Sequence, residues 1–177
     1  PQGNVDLVFD HNLGGGANKY RQEKIAQLVQ SGKDVVLVTF DLPRLLYRLE
    51  IHRSRYKRNE AFEDLQALRE RLLQMRCATI HVNNFVSYPD PLAMLQLVRQ
   101  LMQSNQSQLT LYLHDFHPAC PSYTLINADG KYCGIPDAQT CRTCLKTNKA
   151  VFPSFVTLKE IIPWREAWNE LLQAATT

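Results

Sequence analysis

Two apolar runs joined by a triple glycine and a helix-period segment constrain this chain more than any other feature. Val5 to Phe9, VDLVF, and 34 to 40, DVVLVTF, are largely apolar stretches of the kind needed by strands buried on both faces of a sheet. Between them, DHNLGGGANKY leads into Ala17, Tyr20, Ile25, Leu28 and Val29, spaced for one face of a helix. Ser31-Gly32 follows, Gly32 being a natural left-handed stop. Strand, glycine-rich turn, helix and strand make a βαβ unit, whose crossover sets the two strands parallel.

The alternation continues downstream. LLYRLEI, 45 to 51, alternates enough for a further strand, and Phe62, Leu65, Leu68, Leu72 and Met75 mark a helix from about Ala61. CATIHVNNF is another strand. DPLAMLQLVRQLMQSN is a helix with Asp90 as its cap and Pro91 in its first turn, and QLTLYLHDF is the next strand. From His117 to about Ser154 periodicity fades into a long loop rich in Cys, Pro, Gly and Asp. TLKE, 157 to 160, has capping-box spacing, and Trp164, Trp168, Leu171, Leu172 and Ala175 then share a helix face. The expected fold is α/β: a Rossmann-like, mainly parallel sheet flanked by helices, with a Cys-rich loop, spanning 1–177 as a single domain.

A length of 177 residues is enough for a full core, and 45% hydrophobic with 21% charged residues argues against disorder. No apolar run approaches a membrane span and no signal-peptide pattern opens the chain, so a cytoplasmic location is expected. The chain starts at Pro1 and stops straight after a helical pattern, as an excised piece of a longer protein does.

Open α/β sheets bind ligands at the carboxyl ends of their strands. Gly14, Gly15 and Gly16 stand where the first strand hands over to its helix, allowing positive φ angles and close backbone approach by a ligand. The helix start beyond them offers N–H groups to an anion or a sugar hydroxyl. His11 and Asn12 add polar groups beside that turn, and His114 and Asp115 fall at the end of another predicted strand, facing the same crevice. The glycines do not form GxGxxG, so a conventional dinucleotide site is not expected. The plainer readings are a tight turn without a ligand, and a strand-end histidine that serves only a structural hydrogen bond.

Cys120, Cys133, Cys141 and Cys144 follow the pattern C-x12-C-x7-C-x2-C, all within the long loop. The CxxC has the spacing of tetrahedral zinc sites, and four thiolates make a closed structural site with no position for substrate. Two disulfides and four ordinary thiols are the alternatives; nothing in the chain points to secretion. Cys77 opens a strand and suits a buried hydrophobe. A catalytic metal on His114 and His117 with Asp115 ranks lower, because His-x-x-His on a strand and its exit turn converges poorly and HExxH is absent.

DLVFDHNLGGGANKY, LYLHDFHPACPSYTLINADGKYC with its trailing CRTC, and WREAWNELL together resemble the N-terminal domain of bacterial glycosyltransferases with two Rossmann domains (GT-B), in the large retaining group 1, or family 4. The resemblance covers about Val5 to Ala174. It implies one half of a GT-B fold that binds a glycan or lipid-linked acceptor, while a C-terminal partner domain holds the nucleotide-sugar donor. It further implies that Gly14, Gly15 and Gly16 face the interdomain cleft and that His114, with Asp115 beside it, approaches the donor sugar. The paired glutamates of the family's donor domain have no counterpart here, so the chain is expected to hold half a site and to transfer no sugar alone.

IHRSRYKR, 51 to 58, clusters Arg53, Arg55, Lys57 and Arg58. The plain reading is a solvated edge; the functional one is peripheral contact with anionic lipid at the inner membrane or with a phosphorylated acceptor. No nucleic-acid partner is expected, since no stacking platform accompanies the run. Two other classes stay open: a zinc-stapled binding module without chemistry, and a metal-dependent hydrolase.

Overall fold

The computed structural model describes residues 4–149 and 161–175. Strands β1 (Val5–Phe9), β2 (Asp34–Asp41), β3 (Leu46–His52), β4 (Lys57–Phe62), β5 (Cys77–Val82) and β6 (Gln108–Leu111) form one sheet in the order β4-β3-β2-β1-β5-β6. Helices α1 (Gly15–Gln30), α2 (Leu65–Leu73), α3 (Pro91–Asn105), α4 (Ala138–Leu145) and α5 (Ile161–Ala174) accompany it. β1 pairs parallel with β2 and β5, and β5 with β6, whereas β3 and β4 add an antiparallel hairpin beyond β2. The α/β expectation of a mainly parallel sheet holds for β2-β1-β5-β6, with the antiparallel hairpin making the sheet mixed at one edge.

Strand alternation divides the core into two unequal layers. Val5, Leu7 and Phe9 of β1 and Val36, Val38 and Phe40 of β2 join the large cluster that includes Leu68 and Leu72 of α2, Leu95 and Leu101 of α3, and Trp164 and Trp168 of α5. The opposite face holds a smaller cluster, Val8, Val35 and Leu37 against Ile25 of α1 with Leu28 and Val29 half-buried beside them. The chain therefore leaves β1 along one face of the sheet and leaves β5, through α3, along the other. Two neighbouring parallel strands whose exits diverge open a crevice at their carboxyl ends, the topological switch point of such sheets. Asp10 and His11 follow β1 there; Asn83 and Asn84 follow β5.

α3 begins as its sequence requires. Asp90 accepts a hydrogen bond from Ala93 N at 2.9 Å with Pro91 in the first turn, and Gln106 closes the helix in the left-handed region. α5 sets Trp164, Trp168 and Leu171 into the core, and Arg99 and Glu170 pair across α3 and α5. Leu172, expected on the same face, is 40% exposed.

Three boundaries differ from the sequence expectation. Residues 57–62 form the edge strand β4, and α2 starts later, capped by Asp64, which accepts from Ala67 N at 2.7 Å. β6 ends at Leu111, so His114 and Asp115 stand on the segment beyond the strand. The cysteine-rich stretch is not wholly loop: Asp137 caps α4, which carries Cys141 and Cys144. The TLKE capping box lies outside the described residues. Among those described, no helix is long and apolar enough to cross a membrane.

Candidate functional site

The switch point gathers polar groups that are far apart in sequence. Asp10, fully buried, receives the His11 backbone N–H at 2.8 Å on Oδ1, with Asn83 Nδ2 at 3.0 Å and Arg21 at 3.4 Å on Oδ2. Arg21 reaches in from α1 and also donates to His11 O at 2.6 Å. Tyr88, fully buried, sets its hydroxyl 2.6 Å from Val38 O and 3.1 Å from Asp10 O, tying the exit of β1 to the core beneath. Burial raises the Asp10 carboxyl above its ordinary range, against the pull of the Asn83 amide, His11 and Arg21.

From this base the network rises toward the surface. With its amide nitrogen committed to Asp10, Asn83 turns Oδ1 outward, where His114 Nε2 lies 3.3 Å away. An amide oxygen only accepts, so this contact calls for an N–H on His114 Nε2, the tautomer in which a neutral ring keeps Nδ1 as its acceptor. Alongside, Asn84 donates to Asp115 Oδ2 at 2.6 Å, and His117 N donates to Asp115 Oδ1 at 2.8 Å. Asn84 Oδ1 meanwhile accepts from Val86 N at 2.6 Å. Both carboxylate oxygens of Asp115 are thereby fixed from two directions.

His11 stands between the two groups. Leu13 N donates to its Nδ1 at 3.2 Å, so a neutral ring carries its proton on Nε2. Burial lowers its pKa, Asp10 opposes that, and the charges of Arg21, Asp115 and His114 also act on it. His11 is thus within electrostatic reach of His114 and Asp115. Asn12 and Gly14 to Gly16 form an exposed rim beside them, with Gly14 as the N-cap of α1. Tyr20 of α1 packs its ring edge-on against His114 at 5.5 Å, and Tyr112 stacks parallel to that imidazole at 6.3 Å.

His117 takes no part in a His-x-x-His pair. Its ring is buried edge-on against Trp164 and Trp168, at 4.8 and 5.8 Å, while Trp164 Nε1 donates to its carbonyl at 2.8 Å. Burial, with a contribution from His11, drives its pKa down to about 3, so the imidazole is neutral under all ordinary conditions. Its Nδ1 has no hydrogen-bond partner among the described residues. This packing gives no support to a hydrolytic metal shared by His114 and His117.

Cys120, Cys133, Cys141 and Cys144 all line one cavity, together with Leu125, Asn148 and Arg165. Burial pushes the Cys133 and Cys141 thiols up, and neighbouring thiols add to it: Cys120 and Cys144 act on Cys133, Cys120 and Cys133 on Cys141. Among the described residues, no three His, Cys, Asp or Glu side chains stand at ligating separation. Cys77 is apart, buried in the main core, its thiol raised to about 11 by burial and Asp6.

The basic run spans the turn of the β3–β4 hairpin, and its cations are largely matched by acids of the hairpin and of β2. Arg53 pairs with Asp34 at 2.8 Å, Lys57 with Glu50 at 2.5 Å and Arg58 with Glu60 at 3.3 Å, while Arg53 lies over the Tyr56 ring. That is the behaviour of a solvated edge.

The sequence singles out His11, His114, Asp115 and the glycines but not Asp10, Arg21, Asn83, Asn84 and Tyr88, which the structure places beside them. For the asparagines a signal was present: Asn83-Asn84 directly follows a strand as His11 does. No protein-family model matches the chain, and no curated protein or solved structure matches it.

Proposed function

We propose that this chain is the acceptor-side half of a two-domain glycosyltransferase, using His114 and Asp115 at one wall of a cleft that a donor-binding domain completes. The observation that carries this reading is the convergence of His11, Asn83, His114 and Asp115 at the switch point beside the glycine turn. Transfer of a sugar from a nucleotide-sugar needs a cleft that stabilises an oxocarbenium-like sugar and a departing diphosphate. An imidazole held in one tautomer and a carboxylate held from two sides are pre-set dipoles for the sugar. The rim at Gly14 to Gly16, opening onto α1, offers backbone N–H groups to phosphate oxygens or acceptor hydroxyls.

In this role His114 presents Nδ1 to a sugar hydroxyl, Asp115 orients the segment and supplies negative charge near the developing cation, and Asp10 acts through Asn83 as a positioning residue. The test joins this chain to the donor-binding domain that the reading requires and screens nucleotide-sugars against glycan and lipid-linked acceptors. His114→Ala and Asp115→Ala should each lower kcat by about a hundredfold or more. Transfer by residues 1–177 alone would remove the half-site part of the reading. Unchanged transfer in both variants would remove the site.

A further inference from the structure

We propose that Cys120, Cys133, Cys141 and Cys144 bind one zinc ion as a closed, four-thiolate staple that anchors the segment carrying His114 and Asp115. This does not depend on glycosyl transfer.

The first support is placement. Four cysteines from three separate pieces of chain line one cavity, and all four are free thiols. Cys141 and Cys144 stand three residues apart on α4, which puts them on one helix face. The CxxC is thus presented by a helix rather than by a knuckle turn. Cys133 follows the small turn closed by the Ile126–Tyr132 bridge, and Cys120 ends the turn begun at Phe116.

The second support is what surrounds the sulfurs. Arg165 donates to Cys141 Sγ at 3.4 Å and Asn148 to Cys144 Sγ at 3.4 Å. N–H donors aimed at sulfur stabilise thiolate charge, as the outer shell of a metal–thiolate centre does, and give a disulfide little. Four thiolates around Zn²⁺ leave a net charge of −2, and the Arg165 guanidinium beside Cys141 offsets half of it. Arg165 also donates to Ala119 O and Pro136 O, so it grips the backbone next to Cys120 and ahead of α4.

The third support is what the segment lacks. Between β6 and α4 the only β-bridge among the described residues is Ile126–Tyr132, and Leu125 is the one fully buried aliphatic side chain there. A stretch this long with so little core and one bridge is where a cross-link adds most. The sulfurs are at present turned toward oxygens, as protonated thiols are: Cys133 Sγ to Leu125 O at 3.1 Å, Cys141 Sγ to Pro136 O at 3.8 Å, and Cys120 Sγ near Ser122 Oγ at 3.3 Å. On binding, each thiol gives up its proton and turns its sulfur to the metal. All-thiolate tetrahedral sites select zinc or iron–sulfur centres, and a mononuclear closed site is zinc's structural form.

The consequence reaches the candidate site. Cys120 lies five residues beyond Asp115, and between them His117 is held by Trp164. Metal at one end and tryptophan at the other would fix the segment that presents His114.

The experiment measures metal content and thiol reactivity on the unmodified chain, purified under reducing conditions without chelator. One zinc per chain is expected, with the four loop thiols reacting only after chelation. Cobalt substitution should give the intense sulfur-to-cobalt absorption of a tetrahedral thiolate site. Chelation should raise amide exchange across 116–149 while leaving β1 and β2 protected. Metal-free protein with all loop thiols reactive at once would overturn the proposal. So would two disulfides leaving a single free thiol, iron in place of zinc, or zinc retained after all four cysteines are changed to serine.

Discussion

Asn83 donates to Asp10 Oδ2 at 3.0 Å, across the junction of two parallel strands whose chains leave in opposite directions. That one bond fixes which way the Asn83 amide faces, and hence which nitrogen of His114 carries the proton. A buried carboxylate at the end of β1 thereby sets the chemical state of an exposed imidazole beyond β6. Asn83→Leu removes the link at similar size. It should cost about 1–3 kcal/mol, because Asp10 loses a neutralising donor while remaining buried. Nitrogen NMR of the His114 ring should show its Nε2-protonated form giving way to a mixture of tautomers. An unchanged tautomer would mean that His114 is oriented by its ring neighbours Tyr20 and Tyr112 instead.

Asp115 offers a second, sharper test because its neighbours cannot re-orient. Asn84 is committed through its oxygen to Val86 N, so its amide nitrogen must face residue 115, and His117 N faces the same side chain. Asp115→Asn therefore sets a donor against a donor at one of the two contacts. The expected cost is about 1–3 kcal/mol of stability, read by urea unfolding. The Asp115 charge also supports protonation of His11. Its removal should move the His11 proton NMR titration to lower pH, and a His11 titration that stays put would show that the two are not coupled.

The parts of the fold that were legible in sequence are those where burial and periodicity agree. β1 and β2 are almost continuously buried, so their apolar runs stand out, and α3 announces itself through Asp90 and Pro91. β4 was hidden because it is an edge strand of exposed Lys, Arg and Asn with a half-buried Glu, held by its pairing with β3 rather than by hydrophobic content. Phe62 happened to fall in phase with Leu65 and Leu68, which extended the apparent helix backward past its cap at Asp64. α4 was missed because only Ala138, Cys141 and Leu145 meet the core on that short helix, although Asp137 was available as a cap. At the candidate site, residues that sit at strand ends were legible. Those that act by reaching across, such as Arg21 from α1 to Asp10, depend on which strands become neighbours.

The β3–β4 hairpin carries an acid-sensitive link. His52, with Nε2 3.3 Å from the Glu50 carboxylate, and Lys57, at 2.5 Å, bring the Glu50 pKa down to about 2 from 4.5, against the opposing effect of burial. A depressed folded-state value means that the stabilisation is complete above about pH 4.5 and drains away as pH falls toward 2. With Lys57 half exposed, about 1–2 kcal/mol is a reasonable size after solvent screening. Glu50→Gln should abolish that part of the acid sensitivity and bring the two proteins closer in stability as the pH drops. Parallel acid titrations of both, followed by circular dichroism, check it; a constant gap between pH 5 and pH 2 would show that Glu50 does not carry the effect.

The three glycines separate a conformational need from a ligand's need. Gly14 has φ 86° with ψ −163°, and Gly15 has φ 82°, regions that side-chain-bearing residues avoid, whereas Gly16 lies outside them. A Cβ built at any of the three meets nothing within 4 Å. Gly14→Ala and Gly15→Ala should therefore each cost about 1–3 kcal/mol through backbone strain alone. Gly16→Ala sits in the first turn of α1 with room for its methyl and should raise stability by about 0.5–1 kcal/mol. Nothing in the fold then requires glycine at 16, so this position tests the proposed ligand approach separately from backbone strain. In the two-domain enzyme proposed above, Gly16→Ala should lower transfer about tenfold, through KM above all, while thermal stability holds or rises. Full activity in that variant would confine the glycine turn to a structural role and leave His114 and Asp115 as the site.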